Sequence, residues 1–407
     1  MRILFVGFPD SIHTARWINQ LVNEKWDIHL FPVHDGPVHS DLSRITVHSF
    51  FNTWPASNND RVVRKGLRWP ILKGRGKIKT ILEKTAPRFA ADPARLAQTI
   101  QSLKPDCLHV LEMQHAGYLT LKSLNLLRAG AVPPCIYSSW GSDLYRYGHQ
   151  SEHESRIRDF LGRCDYYIAD CHRDLLLARK LGFRGETLGV FPAGGGFDLQ
   201  QIGRFREPIT GRSVIALKGY HGERLLGRAL VALEALRSCE DLLEQYEVIV
   251  YSADSQVSEE VRRIAGTTRI RISELPYSPH IEMIRLMGRS RIAIGIGLTD
   301  GTPLSLLEAM GMGAFPIQSD TVSTAEWIDN GKNGLLVPPE DFEAIALAFR
   351  KALNDDELVH HAAEINAGII AERVNASLTT PQVIELYKKV ARGSVKRIGT
   401  RTAAAWN

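Results

Sequence analysis

Two carboxylates, Asp300 and Glu308, stand eight residues apart in the stretch DGTPLSLLE. Between them Thr302 and Pro303 carry a helix-start signal. The threonine hydroxyl can cap a helix, and proline suits the first position because its missing N–H would be unpaired there anyway. A helix N-terminus presents backbone N–H groups and a partial positive charge, a ready cradle for phosphate. A carboxylate beside phosphate is electrostatically awkward unless it accepts hydrogen bonds from hydroxyls, and sugar hydroxyls are the obvious donors. The pairing therefore points to a nucleotide sugar. A plainer reading also fits, in which Asp300 complements the helix dipole and Glu308 is a solvated helical side chain.

The elements that must position this pair follow from the pattern around it. Residues 292–298, IAIGIGL, form a short apolar run bounded by turn residues, which reads as a buried parallel strand. Leu304, Leu307, Ala309 and Met310 give the following helix an apolar face. Gly311 and Gly313 end it before a further strand at 314–318.

DGTPLSLLEAMGMGAFPI, followed by NGLLVPPED, closely resembles the donor-binding signature of the GT-B glycosyltransferases of family 4: an acidic residue, seven others, then Glu-Ala-Met. Asp300 stands where most members carry Glu. The resemblance implies that Asp300 lies near the transferred sugar, that Glu308 holds the ribose hydroxyls, and that the backbone around Gly301, Thr302, Pro303 and Leu304 receives the diphosphate. It is strong over residues 210–375 and weaker, though traceable, over the N-terminal half. Members place a basic pair after the first strand of the second domain. Lys218 and Arg224 are the nearest match here, with Arg228 as an alternate. Where many members carry His-Gly, this chain has Trp140-Gly141, and a Trp in a carbohydrate site can stack on a sugar face.

The 407 residues exceed one typical core, and two domains are expected. Five cysteines, odd in number and scattered, form neither a disulfide framework nor a metal spacing, which favours a reducing cytoplasm. The opening MRILFVGFPD is too short for a signal peptide and reads as a first strand; no apolar run reaches the length of a membrane span. Net charge is +5, concentrated at 61–88, where ten Lys or Arg face one acidic residue, Glu83. Leu67, Trp69, Pro70, Ile71, Leu72, Ile78, Ile81 and Leu82 interleave with them. This composition suits an anionic membrane surface, and equally a solvated, partly disordered loop. No nucleic-acid motif accompanies it.

Strand and helix patterns alternate along the whole chain, the signature of doubly wound parallel sheets whose ligands lie beyond the carboxyl ends of the strands. The turn after the first strand carries only Gly7 of a dinucleotide fingerprint, which argues against a nicotinamide or flavin. Ser11 can cap the next helix, with His13 in its first turn. Glu112 and His115 fall at another strand end, and Asp143 follows Trp140. His13, Trp140 and Asp143 are acceptor-side candidates. His13 also fits an exposed helix-start histidine, His115 a helix cap or surface residue, and Asp143 a helix N-cap.

The expected fold is α/β: GT-B, two doubly wound, Rossmann-like domains facing a central cleft. Residues 1–200 would bind the acceptor, with a C-terminal helix at 379–393 packing back on them, and 205–378 the nucleotide sugar. The expected activity is a retaining, metal-independent hexosyl transfer to an acceptor hydroxyl, with Asp300, Glu308, Asp143 and His115 at the reacting centre. No cofactor is expected beyond the nucleotide diphosphate sugar, and no Asp-x-Asp metal motif occurs. A lipid-linked saccharide of cell-surface polysaccharide or lipopolysaccharide assembly would be the acceptor, met by a cytoplasmic protein peripheral to the inner membrane face. Three rivals remain: a nucleotide-sugar 2-epimerase of the same fold, a soluble sugar-phosphate transferase, and a catalytically weak nucleotide-sugar-binding subunit.

Overall fold

The structure, a computed structural model, describes residues 1–52, 61–68, 73–320 and 323–403, with the backbone only at 129, 193, 224, 225 and 394–403. Trp69, Pro70, Ile71 and Leu72 of the basic segment lie outside the described residues. The chain divides into two compact units: Met1–Gly195 with Thr379–Asn407, and Gly196–Leu378.

The first unit is built on eight parallel strands, β1 (Arg2–Gly7), β2 (Asp27–Pro32), β3 (Ile45–Phe51), β4 (Val62–Leu67), β5 (Cys107–Leu111), β6 (Cys135–Ser138), β7 (Tyr166–Ala169) and β8 (Glu186–Val190). Their spatial order is β4-β3-β2-β1-β5-β6-β7-β8. Ile3, Leu4, Phe5 and Val6 are fully buried, as a central parallel strand covered on both faces requires. Strand order reverses at β1 and β5, so the switch point, where doubly wound sheets bind ligands, lies at their carboxyl ends. The chain leaves those ends through Phe8 and Glu112.

The helix Ala376–Ala403 closes this unit. Val383, Tyr387 and Val390 pack with Ile3, Phe5, Trp17 and Ile18 in one core. Trp17 Nε1 donates to the Tyr387 hydroxyl at 2.7 Å, and that hydroxyl meets His109 Nδ1 at 2.6 Å. His109 Nε2 lies 2.7 Å from Ser138 Oγ, and burial pushes this histidine down to about 3. The helix runs on past the expected 379–393 at both ends, from Ala376 to Ala403.

The basic segment is ordered over its described residues. It forms β4 at the sheet edge and the helices Arg75–Thr85 and Pro87–Ala90. Arg75 is buried, and Lys79 stands among Asp92 (2.9 Å), Asp35 (3.8 Å) and Glu83 (3.9 Å). Val63, Leu67, Ile81 and Phe89 remain exposed beside Lys65, Arg68, Lys77, Lys84 and Arg88.

The second unit holds β9 (Val214–Lys218), the short β10 (Gly227–Arg228), β11 (Glu247–Tyr251), β12 (Arg271–Leu275), β13 (Ser290–Gly295), β14 (Phe315–Ser319) and β15 (Leu335–Val337). Six of them form a parallel sheet in the order β12-β11-β9-β13-β14-β15, which places its switch point at β9 and β13. The strand expected at 292–298 is β13, which ends at Gly295, and the strand expected at 314–318 is β14. Gly311 lies inside the helix Leu304–Met312, and only Gly313, at φ 81°, ends it. Among the described residues, no helix is long and apolar enough to cross a membrane.

Candidate functional site

In the second unit, the loop after β13 is pinned from several sides. Gly297 N–H donates to Ser319 Oγ at 3.0 Å, and that hydroxyl lies 2.7 Å from the Gly297 carbonyl. Leu298 N–H donates to the Leu226 carbonyl (2.8 Å), Arg228 N–H to that of Ile296 (3.0 Å), and Ser323 Oγ to that of Gly301. The close approach of β10 requires glycine at 227, where a Cβ would stand 2.0 Å from the Tyr220 carbonyl oxygen. The loop therefore holds its shape before any ligand arrives.

The helix begins at Leu304, one residue later than its sequence suggests. Pro303, at φ −62° and ψ 117°, takes the N-cap position, and Thr302 stands too early to cap. Pro303 itself offers no side-chain cap; its carbonyl accepts from Leu306 N–H (3.0 Å) and Leu307 N–H (3.3 Å). A helix start at a switch point is a good anion cradle. Asp300 Oδ1 accepts from the N–H of Gly301 at 2.8 Å, so its carboxylate helps shape this turn.

Glu308 is not a solvated side chain: the residue is only 4% exposed, and His280 Nε2 lies 2.5 Å from its Oε1. Sequence reasoning missed His280. Its one signal was position, at the start of the helix that follows β12, hence at the ligand-binding edge of the sheet. Lys218 ends β9 with Nζ 4.3 Å from the Tyr220 ring centroid. Arg224 lies on the helix Gly222–Leu225, its side chain outside the described residues. The alternate cation, Arg228, is engaged by Glu340 and, at 3.3 Å, by Glu223.

In the first unit, the switch point carries an aromatic platform. Trp140 stacks near Phe8 (6.1 Å between centroids) and lies 5.3 Å from His13, while His115 meets Phe8 edge-on at 5.0 Å. Ser11 Oγ accepts from His13 N–H at 3.2 Å and caps the helix Ile12–Asn19, as its sequence suggests. Phe8 was not among the expected site residues, although its place directly after β1 was the available signal.

Two buried carboxylates hold this platform from below. Glu112 accepts from the N–H groups of Gln114 (2.7 Å), His115 (2.8 Å) and Ala116 (3.1 Å), at φ 81° and ψ 152°, a conformation nearly confined to glycine. His115 Nδ1 meets the same carboxylate at 3.2 Å, and this hydrogen bond raises the imidazole pKa. Asp143, the acceptor-side candidate that also fits a helix N-cap, is buried and caps none of the described helices. Its Oδ2 accepts from Tyr137 OH (2.9 Å) and Trp140 N–H (2.8 Å), inside the fold. Burial, with the charge of Glu112, pushes its pKa well above the ordinary carboxylate range. Among the described residues, no three His, Cys, Asp or Glu side chains gather as a metal site.

Known proteins resemble this architecture over nearly its whole length. Sucrose-phosphate synthase from Thermosynechococcus elongatus aligns with a TM-score of 0.67 at 16% identity, over 97% of this chain and 100% of that one. The HepE protein of Anabaena, in complex with UDP and glucose, aligns at 0.66 and 14% identity over 96% and 100%. A glycosyltransferase from Rickettsia africae aligns at 0.63 and 14% over 96% and 98%. An exopolysaccharide phosphotransferase of Streptomyces coelicolor is 34% identical over 102 residues, 24% of this chain and 11% of that protein, so the chain spans only a small part of that relative. The model described as Glycosyl transferase 4-like matches residues 2–170, and that of Glycosyl transferases group 1 matches residues 230–367. With one match on each unit, the chain belongs to the family-4-like, group 1 glycosyltransferases, and its fold is GT-B.

Proposed function

We propose that this glycosyltransferase moves a hexose from a nucleoside diphosphate sugar to an acceptor hydroxyl, with retention at the anomeric carbon and without a metal ion. The observation that carries the reading is the helix start at Leu304, at the switch point of the sheet and set between Asp300 and the buried Glu308. Backbone N–H groups and Lys218 would receive the diphosphate, Glu308 the ribose hydroxyls, and Asp300 the sugar. As the bond from C1 to the diphosphate breaks, negative charge gathers on the leaving oxygens, where these fixed dipoles and the lysine stabilise it. The acceptor oxygen bonds to C1 on the same face, and its proton passes to the departing diphosphate, so no protein base is needed. Phe8, His13, His115 and Trp140 would present the acceptor, with Trp140 stacking on a sugar face.

The UDP and glucose held by the Anabaena protein favour a UDP-sugar donor. The exopolysaccharide named for the Streptomyces relative favours polysaccharide assembly, and a lipid-linked saccharide would be the acceptor. Exposed Val63, Leu67, Ile81 and Phe89 among lysines and arginines would rest a cytoplasmic protein on the anionic inner membrane face.

Calorimetry with UDP, GDP and ADP, on wild type and Glu308→Ala, tests the donor site. Selective binding of one nucleotide, lost in the variant, supports the reading; no binding by any of the three overturns it. Conversion of the matching nucleotide sugar without an acceptor would favour the epimerase instead.

A further inference from the structure

We propose that His280 is a positioning residue for the donor, fixing the Glu308 carboxylate in the orientation that receives the ribose. The inference rests on the reading of Glu308 as the ribose-binding group.

Glu308 sits on the helix Leu304–Met312, almost fully withdrawn from water. A carboxylate so placed must be satisfied by hydrogen bonds, since a buried charge left without them is strongly unfavourable. One such partner comes from a different element. His280 opens the helix His280–Arg289, which follows β12, and reaches across to Oε1 at 2.5 Å. The imidazole side chain is 35% exposed whereas the carboxylate side chain is 5% exposed, so the pair reaches from the interior to the solvent-facing ligand edge of the sheet. A carboxylate can only accept, so Nε2 carries the proton that is shared.

The choice of histidine has a chemical consequence. An arginine fork would engage both carboxylate oxygens, whereas imidazole Nε2 engages one. The histidine therefore fixes the torsions of Glu308 without covering the whole carboxylate. Ordering a glutamate side chain on binding opposes association, and a side chain already ordered in the free protein removes that opposition.

The readout is discrimination between ribose and deoxyribose. Calorimetry on the full chain compares UDP with 2′-deoxy-UDP, and the GDP and ADP pairs likewise, for wild type, His280→Ala, His280→Gln and Glu308→Ala, each checked for folding by circular dichroism. Wild type should prefer the ribonucleotide of the pair it binds. His280→Ala should lower that preference about tenfold, on the scale of one hydrogen bond to a charged group, and His280→Gln, whose amide can donate from the same place, should restore most of it. An unchanged preference in a folded His280→Ala overturns the positioning role while leaving the donor site intact. An unchanged preference in Glu308→Ala overturns the ribose assignment itself, and the role of His280 with it. A misfolded His280→Ala with a folded His280→Gln that has lost the preference would also overturn it.

Discussion

Asp143 shows how a carboxylate at a strand end can serve a site without touching a ligand. Its Oδ2 ties the Tyr137 hydroxyl to the Trp140 amide and so sets the angle at which the indole enters the platform. Because burial raises its pKa, the folded protein keeps this proton at pH values where the unfolded chain has already lost it. The folded state then binds more protons than the unfolded one, so this group's contribution to stability falls as pH rises above 3.8. Asn keeps an oxygen that can accept from both donors and removes the titration; Ala leaves a buried hydroxyl and amide unpaired. Asp143→Asn should therefore stay within about 1 kcal/mol of wild type and gain relative to it from pH 5 to pH 8, while Asp143→Ala should lose about 2–3 kcal/mol. Urea unfolding at both pH values measures this. An Asn variant as unstable as Ala would mean that the carboxylate charge itself is required.

Among the elements, the C-terminal helix depends most visibly on one polar contact in an apolar setting. The Tyr387 hydroxyl is shared by Trp17 Nε1 and His109 Nδ1, all buried. Tyr387→Phe keeps the ring packing but leaves both nitrogens without that partner. The expected loss is about 2–3 kcal/mol, read as a lower denaturant midpoint with unchanged nucleotide binding. A neutral result would show that the helix is held by Val383, Val390 and the tyrosine ring alone. The sequence made this helix visible but misplaced its ends. The helix expected at 379–393 starts at Ala376 and accommodates Pro381 inside it. The same limit applied at Leu304, where the cap signal of Thr302 and Pro303 was legible and the helix began one residue late. Alternating strand and helix patterns were legible because burial on both sheet faces demands continuous apolar runs. The partnership of His280 with Glu308 was not legible, because it joins residues 28 positions apart on separate helices and leaves no periodic trace.

At the scale of the whole molecule, the two units differ in how the chain supplies them. Gly196–Leu378 is one continuous segment with its own core, from Ile215 and Leu217 through Ile292 and Phe315 to Val359. The other unit takes Thr379–Asn407 from the far end of the chain, and Val383, Tyr387 and Val390 complete the cluster around Ile3, Phe5 and Trp17. Removing that helix would expose an apolar sheet face and orphan the Trp17 and His109 nitrogens together. The segment 196–378 produced alone should therefore fold cooperatively and, if the donor reading holds, be stabilised by its nucleotide through mass action, about 2.7 kcal/mol at a hundredfold excess over Kd. The segment 1–195 alone should aggregate or stay molten, and a separately supplied 379–407 peptide should rescue it in part. Thermal unfolding of the three samples, with and without UDP, GDP and ADP, gives the answer. A stable, monodisperse 1–195 would mean that the helix is an accessory rather than a structural layer. A folded 196–378 that ignores every nucleotide bound by the full chain would move part of the donor site outside this segment.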